Sequence, residues 1–217
     1  MVTETTQHPT PDVKPSVPLS SPTDRTAVVE AGMLARAQVP ARHLRPLVQQ
    51  PNERWLSVGQ KLRNALGSGC LFALLSDRGA GKTRLAVATI RECCRRAARD
   101  NPEFPRPAWY RKTMDLFLDV RASFKNESKP ERDALAPYLT TGLLVLDEIQ
   151  ERGGTDFEDR MLNYVIDKRY DAQLDTILIS NLKMAEFAKQ VGPSIVDRLR
   201  ECGEMIVCDW PSFRSPH

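Results

Sequence analysis

The sequence predicts an α/β protein in which a parallel sheet is covered by helices on both faces. Three observations support this prediction. Short apolar runs alternate with helical patterns, a glycine-rich loop joins the first run to a long helix, and two acidic residues end a later run. Alternating strands and helices build parallel sheets, whose central strands are apolar on both faces. With 217 residues, of which 41% are hydrophobic, the chain can form one domain with a substantial core.

The N-terminal part of the chain differs in composition from the rest. Residues 1–24 are rich in Thr, Pro and Ser, and eight of the sixteen prolines lie before residue 52. Such a segment buries too little apolar surface to offset the entropy of ordering, so we expect a disordered arm. Residues 25–51 are predicted to form a short helix and a linker, which is a candidate partner-binding region. Residues 52–217 are predicted to form the folded domain.

The elements of this domain follow from apolar spacing and from helix caps. Asn52 is expected to cap a first helix that ends at Gly67. Thr155 and Glu158 have the spacing of a capping box and are expected to begin a later helix. Two short helices are expected over 183–190 and 193–202. The predicted strands span 70–75, 108–112, 143–146, 176–180 and 205–208.

Composition excludes several functional classes. The formal net charge is only +3, which argues against general coating of nucleic acid but allows a local basic face. No apolar stretch is long enough to cross a bilayer, and the N-terminus lacks a secretory pattern, so we expect no membrane association. The five cysteines include no Cys-x-x-Cys pair. Their odd number and spacing favour reduced thiols in a cytoplasmic protein.

The loop after the first strand has the sequence Ser-Asp-Arg-Gly-Ala-Gly-Lys-Thr. Apart from Ser76 at its first position, this is the pattern of a phosphate-binding loop (P-loop), placed between a strand and a helix as such a loop requires. Gly79 and Gly81 would let backbone N–H groups approach a phosphate, and Lys82 would reach the β- and γ-phosphates. The alternative is an ordinary glycine turn with an exposed lysine. The predicted nucleotide-binding residues are Ser76, Asp77, Arg78, Gly79, Ala80, Gly81, Lys82, Thr83 and Arg84.

Two carboxylates, Asp147 and Glu148, follow an apolar strand. Ligands of parallel sheets collect at the carboxyl ends of the strands, so both should lie beside the P-loop. We expect Thr83 and Asp147 to hold Mg²⁺ and Glu148 to polarise the attacking water. The alternative is an acidic surface turn. Asn181 follows the next strand; it would orient the water or contact the γ-phosphate, or it only turns the chain.

The order of P-loop, Asp-Glu strand end and Ser-Asn strand end resembles the AAA+ ATPases. Four later stretches are more particular: Leu162-Asn-Tyr-Val-Ile-Asp-Lys-Arg-Tyr, Thr176-Ile-Leu-Ile-Ser-Asn, Val196-Asp-Arg-Leu-Arg and Cys208-Asp-Trp-Pro-Ser-Phe-Arg-Ser. Through them the chain, from Trp55 onward, resembles the DnaC family of bacterial replicative helicase loaders and the related IstB family of transposition ATPases. The last of these stretches, with the Asp-Glu-Ile strand end, favours the loader branch. The resemblance implies a five-stranded parallel sheet of order 5-1-4-3-2, with ATP and Mg²⁺ as ligands.

The resemblance also implies a site shared between subunits. Asn181 is similar to the sensor 1 residue of the AAA+ ATPases, and Arg198 is similar to the arginine finger, which acts on the nucleotide of a neighbouring subunit. Arg200 is a second candidate for this interface. Such a finger requires a head-to-tail homo-oligomer, either an open helix or a ring. Because the fifth strand lies so near the end of the sequence, we expect no helical lid and slow turnover that depends on neighbouring subunits.

A single-stranded DNA site is the third implication of the resemblance. Loaders bind this ligand through positions that fall on Phe124, Thr155 and Phe157, and aromatic rings can stack on any base. The residues alone allow another interpretation, because Phe124 continues a core stripe, Phe157 begins one and Thr155 caps a helix. Nearby cations that could contact phosphates are Arg121, Lys125, Arg152 and Arg160.

Three functions therefore fit the sequence. The first is an ATP-dependent loader with a replicative DNA helicase as partner, which residues 25–50 would have to bind. The second is a transposition helper of the IstB type. The third is an adaptor that ATP switches with negligible turnover, although the pair of Asp147 and Glu148 argues against an inactive ATPase.

Overall fold

The computed structural model describes most of the chain between residues 22 and 213. The predicted arm, residues 1–24, lies outside the described part except for its last three positions, which begin a helix; Lys125 also lies outside it. Within the described part, no helix is both long and apolar enough to cross a membrane. The described ranges are 22–45, 50–104, 106–124 and 131–213.

A parallel sheet forms the centre of the structure. Its strands are β1 (Leu71–Leu75), β2 (Ala108–Lys112), β3 (Leu143–Asp147), β4 (Asp175–Ser180) and β5 (Gly203–Val207). The spatial order is β2-β3-β4-β1-β5, with every neighbouring pair parallel, which confirms the predicted order. Every residue of β1, β3 and β4 is buried, as expected for central strands covered on both faces.

Helices cover the two faces of this sheet. They are α1 (Pro22–Arg36), α2 (Ala41–Leu44), α3 (Glu53–Asn64), α4 (Lys82–Asp100), α5 (Thr113–Ser123), α6 (Glu131–Thr140), α7 (Asp156–Asp171), α8 (Met184–Val191) and α9 (Pro193–Cys202). Buried residues of α1, α3 and α4 share one apolar cluster, and those of α5 to α9 share the other. The sequence did not predict α6.

Both predicted helix caps are confirmed. The Asn52 side chain accepts a hydrogen bond from the Trp55 N–H at 2.8 Å. In the capping box, Thr155 Oγ1 accepts from the Glu158 N–H at 3.3 Å, and the Glu158 carboxylate accepts from the Thr155 N–H at 3.4 Å. Helix α3 ends at Asn64, slightly before the predicted Gly67.

Helix α1 packs on α4 as part of the core. Met33 and Ala37 have no exposed surface, and the Ala37 carbonyl accepts a hydrogen bond from the Tyr110 N–H at 2.9 Å. The Gln38 side chain accepts from the Trp109 indole at 3.0 Å and from Arg111 at 3.1 Å. Residues 37 and 38 therefore lie along the edge of β2. The domain boundary at residue 52 stays a prediction, but the described segment before it packs on the domain.

A buried arginine ties the amino end of β4 to the loop before β3. Arg169 is fully buried, and its guanidinium donates hydrogen bonds to five oxygens. Burial lowers the pKa of this guanidinium to about 9, so it remains charged at neutral pH. The acceptors are the carbonyls of Tyr138, Thr141, Gly142 and Asp175 and the hydroxyl of Thr176.

Candidate nucleotide-binding site

The P-loop joins β1 to α4 in a conformation that requires glycine. Gly79 has φ +103° and Gly81 has φ +76°, both in the left-handed region. Gly81 also lies against the C-terminal segment, since a Cβ there would be 2.9 Å from the Phe213 ring. The N–H groups at the start of α4 follow directly and form the kind of anion-binding helix terminus that the sequence predicts.

Lys82 is buried and its ammonium group is surrounded by oxygens. Its Nζ donates to the Ser76 carbonyl at 2.7 Å and to the Ser76 hydroxyl, the Asp77 carbonyl and Asn181 Oδ1 at 3.0 Å each. The structure thus brings Lys82 and Asn181 together. It also explains Ser76, whose hydroxyl is an acceptor for Lys82 that glycine would not provide. A phosphate that binds Lys82 has to compete with these oxygens.

Asp147 is the centre of a second contact network. It is 6% exposed, and its Oδ2 accepts hydrogen bonds from Thr83 Oγ1 and from the Tyr110 hydroxyl, both at 2.8 Å. Its Oδ1 accepts from the Glu148 N–H at 2.7 Å. The predicted metal pair, Thr83 and Asp147, is therefore in contact. Sequence reasoning missed Tyr110. The only indication in the sequence was that this residue lies on β2, the strand that precedes β3 along the chain.

The donor set at this point fits Mg²⁺. A hydroxyl and a carboxylate are oxygen ligands of the kind that Mg²⁺ takes, and this ion usually completes its shell with phosphates and water. Among the described residues, no group of three His, Cys, Asp or Glu side chains could hold a metal ion by itself. Thr83 and Asp147 would supply two of the ligands of such an ion, and phosphates and water would supply the others.

Glu148 has an uncommon backbone conformation and a cationic partner. Its φ is +59°, which few residues with a side chain adopt. Its Oε2 lies 2.7 Å from Nζ of Lys112, the last residue of β2. In the register of the sheet, Lys112 lies opposite Asp147, so the cation is placed at the carboxyl edge beside the acidic pair. Sequence reasoning missed Lys112.

A cleft of about 440 Å³ lies beside the P-loop. The P-loop forms one wall, residues 182–184 form another, and the segment from Val207 to Ser212 forms the third. Burial raises the pKa of the Cys208 thiol in this wall to about 12, so that the thiol is neutral. The cleft is large enough to hold part of a ligand that is bound at the loop.

The segment after β5 is hydrogen-bonded to the P-loop. The Trp210 indole N–H donates to the Ala80 carbonyl at 2.7 Å, and the Phe213 N–H donates to the Gly79 carbonyl at 3.0 Å. The Phe213 ring also contacts Trp55 edge-on, with 6.2 Å between ring centroids. These contacts hold the loop from the side of β5.

Arg84 contacts the segment before the domain. Its guanidinium donates to the carbonyls of Arg42, at 3.1 Å, and of His43, at 3.5 Å, and also contacts the Arg45 carbonyl. Arg91 donates similarly to the Leu44 carbonyl at 2.9 Å. The Arg84 side chain thus helps to hold α2 against α4, and its contact with a nucleotide stays a prediction.

Arg198 contacts side chains of α7 and α9. It pairs with Asp167 at 2.9 Å, donates to the Ser194 carbonyl at 3.0 Å, and its guanidinium lies 5.3 Å from the Tyr170 ring centroid. Arg200 is exposed and pairs with Asp197 at 3.2 Å. The roles of both arginines at a subunit interface stay predictions.

The three predicted DNA-contacting residues lie close together. Phe124 and Phe157 form a T-shaped pair with 5.9 Å between ring centroids, and the Arg121 guanidinium lies 5.2 Å from the Phe157 ring. Phe124 is 60% exposed, which excludes the core interpretation for this residue, while Phe157 is half-buried. Thr155 is exposed and caps α7.

The predicted cation Arg152 is not an open phosphate contact. Its side chain is 2% exposed and pairs with Asp159 at 2.8 Å. Arg121 is half-exposed and lies 3.6 Å from the buried carboxylate of Glu158. Among the described cations, Arg121 lies against the Phe157 ring, and Arg160 is exposed about one turn further along α7.

Sheet order, P-loop and acidic strand end together define a P-loop protein of the AAA+ class. The model of the IstB-like ATP binding protein family matches residues 70–216, and the chain belongs to this family. It is similar to the replicative helicase loader DnaC of Escherichia coli K12, with 25% identity over 150 residues, which are 69% of this chain and 58% of DnaC. The chain thus spans less than two thirds of the length of that relative. The family match and this similarity confirm the predicted resemblance to DnaC and IstB.

Solved structures show the same fold. The crystal structure of the DnaC helicase loader has a TM-score of 0.61 and 22% identity, covering 77% of this chain and 99% of that one. The replication initiator DnaA, bound to AMPPCP and single-stranded DNA, has a TM-score of 0.58 and 20% identity, covering 75% of this chain and 47% of that one. At these identities the likeness concerns the fold alone.

Proposed function

We propose that this protein is an ATP-dependent DNA replication protein, a helicase-loader-like ATPase that binds and hydrolyses ATP. The observation that supports this most strongly is the convergence of the P-loop with the ends of two strands. Lys82 contacts Asn181, and Thr83 contacts Asp147, so the P-loop, β3 and β4 meet at one point. Membership of a family of ATP-binding proteins and the similarity to DnaC support the same function.

The residues divide the chemistry among themselves. The N–H groups of the P-loop and the Lys82 ammonium bind the phosphates, while Thr83 and Asp147 hold Mg²⁺. The metal, when bound, supplies a Lewis acid that stabilises charge on the phosphates. Glu148 accepts a proton from the attacking water after its carboxylate leaves Lys112, and Asn181 orients that water.

The site is completed by a neighbouring subunit in this proposal. Arg198 would contact the γ-phosphate bound by the next subunit, either after breaking its ion pair with Asp167 or while keeping it. A cation at that phosphate stabilises the charge of the transition state. Arg200, two positions further along α9, would contact the same interface. The resulting head-to-tail homo-oligomer makes turnover dependent on assembly.

Single-stranded DNA is the proposed second ligand. The pair of Phe124 and Phe157 offers an exposed ring for stacking, Thr155 lies beside it, and Arg121 and Arg160 offer charge for phosphates. The proposed protein partner is a replicative DNA helicase, because the similar DnaC protein is a replicative helicase loader. Residues 25–51 are the proposed site for it.

A transposition helper of the IstB type is the second candidate. The family model that matches the chain is named for these proteins, which is the observation in its favour. Both candidates use the same ATP site and differ in their partner. A pull-down of the full chain with the replicative helicase of the host separates them: retention on the helicase supports the loader, and no retention favours the transposition helper.

The ATPase itself is tested by two substitutions. Lys82→Ala should abolish ATP binding, whereas Glu148→Gln should retain binding and lose turnover, because it keeps the phosphate ligands and removes the base. Turnover is measured with and without single-stranded DNA. Wild-type turnover at the level of Glu148→Gln, with ATP-dependent assembly intact, would instead favour the adaptor.

A further inference from the structure

We propose that Tyr110 is a positioning residue of the metal site: its hydroxyl holds Asp147 in the orientation in which Asp147 and Thr83 bind Mg²⁺. The inference rests on the proposed function, since it concerns how the same ATP site takes its metal. No motif of the sequence points to this tyrosine, and it is the geometry around Asp147 that singles it out.

Two hydroxyl groups donate to the same oxygen of Asp147. Its Oδ2 accepts from Thr83 Oγ1 and from the Tyr110 hydroxyl, both at 2.8 Å. A threonine hydroxyl carries one proton and two lone pairs. Because the proton of Thr83 goes to Asp147, the lone pairs remain for a cation. Asp147 therefore orients Thr83, and Tyr110 orients Asp147.

Tyr110 is itself held firmly in place. Its side chain is buried, and its N–H donates to the Ala37 carbonyl at 2.9 Å, so the residue is fixed from the side of the N-terminal segment. A phenol hydroxyl carries one proton that it can donate, and here the acceptor is Asp147 Oδ2 at 2.8 Å.

Loss of this hydroxyl has a selective consequence. In Tyr110→Phe, Oδ2 of Asp147 would keep the hydrogen bond from the Thr83 hydroxyl. It would lose the hydrogen bond from the buried Tyr110 hydroxyl, which helps to fix the carboxylate. Removing such an outer-shell partner typically lowers metal affinity about 10- to 100-fold. Binding of nucleotide without metal depends on the P-loop N–H groups and Lys82, which the substitution does not touch.

The experiment measures binding of a fluorescent ATP analogue to the full chain, in a titration with Mg²⁺ and in EDTA. Tyr110→Phe should need about tenfold more Mg²⁺ for half-maximal binding and should bind within about twofold of wild type in EDTA. The matched control is Tyr138→Phe, which also removes a buried hydroxyl bonded to a carboxylate, that of Asp119 at 2.6 Å. The control should match wild type in both conditions.

Two results would overturn the inference: a Mg²⁺ requirement of Tyr110→Phe equal to that of Tyr138→Phe, or equal loss of binding in Mg²⁺ and in EDTA. Melting temperatures with the nucleotide, with and without Mg²⁺, give a second readout in case Tyr110→Phe is less stable. Mg²⁺ should then raise the melting temperature of Tyr138→Phe and fail to raise that of Tyr110→Phe. Failure of the proposed function looks different, because wild type itself would then show no binding that depends on Mg²⁺.

Discussion

Lys112 at the end of β2 pairs with Glu148 at the end of β3, with 2.7 Å between Nζ and Oε2. The carboxylate that we propose as the base of hydrolysis is thus held by a cation of the neighbouring strand. Since both groups are partly exposed, the pair is a weak restraint that binding of a ligand or partner can break.

Substitution of Lys112 tests this restraint. Lys112→Met should raise basal ATP turnover about two- to fivefold, since a partly exposed ion pair contributes up to about 1 kcal/mol. Lys61→Met is the control, because Lys61 also pairs with a glutamate, Glu204, but on α3 and β5. Turnover of Lys112→Met below that of Lys61→Met would show that the lysine assists catalysis instead.

Ser76 offers a test of the competition for Lys82. Ser76→Ala removes one oxygen that accepts from the lysine, so ATP affinity should rise about two- to fivefold, as expected for a hydrogen bond of about 1 kcal/mol. Binding is measured by titration calorimetry. Ser68→Ala, which removes a hydroxyl bonded to the Ala65 carbonyl, is the control. A fall in affinity for Ser76→Ala would mean that the hydroxyl serves the nucleotide.

Phe124 tests the proposed DNA site. Phe124→Ala should weaken binding of single-stranded DNA about tenfold, because stacking on an aromatic ring contributes about 1–3 kcal/mol per base. Leu118→Ala is the control on α5, the helix that ends just before Phe124, since Leu118 is 54% exposed. Affinity is measured by fluorescence anisotropy. Equal affinities of the two variants would remove Phe124 from the site.

Arg169 tests the account of the core. Arg169→Met leaves four carbonyls and one hydroxyl without their buried donor. The free energy of unfolding in urea should fall by about 3–5 kcal/mol, as when one partner of a buried charged network is removed. Arg99→Met, an exposed site paired with Asp100, should change it by less than about 0.5 kcal/mol. Similar values for the two variants would contradict this account.

The sheet order could be predicted through the resemblance to a known family, and the residues that meet at the P-loop could be predicted from motifs at strand ends. The P-loop, the pair of Asp147 and Glu148, and Asn181 each follow an apolar run, and parallel strands bring such ends to one edge. Tyr110 and Lys112 could not be found in this way. Their contacts depend on the register of β2 against β3, in which Lys112 lies opposite Asp147.

Two other results also depended on tertiary structure. Phe124 continues the spacing of Leu116 and Val120 and keeps a helical backbone, but it lies just beyond the last residue of α5 and is 60% exposed. Arg152 has no sequence signal for burial, because its partners, Asp159 of α7 and the Gln190 carbonyl of α8, meet it only in the folded structure. Residues at the ends of helices are thus where apolar spacing predicts burial least well.

The central claim is that ATP is hydrolysed between subunits, with Lys82 from one and Arg198 from the next. Arg198→Ala should retain ATP binding and lose turnover at least about tenfold, as for other cations that stabilise a phosphoryl-transfer transition state. The melting temperature of the variant is compared with that of wild type, to show whether losing the ion pair with Asp167 destabilises the fold. Unchanged turnover in Arg198→Ala would remove the finger from the site.

The most direct measurement is ATP turnover of a mixture of Lys82→Ala and Arg198→Ala subunits. Each variant alone should be inactive. In random head-to-tail assembly, about one interface in four joins an intact Lys82 to an intact Arg198, so the mixture should recover turnover toward that fraction of wild type. A mixture that remains as inactive as its components, although both variants assemble, would contradict a shared site.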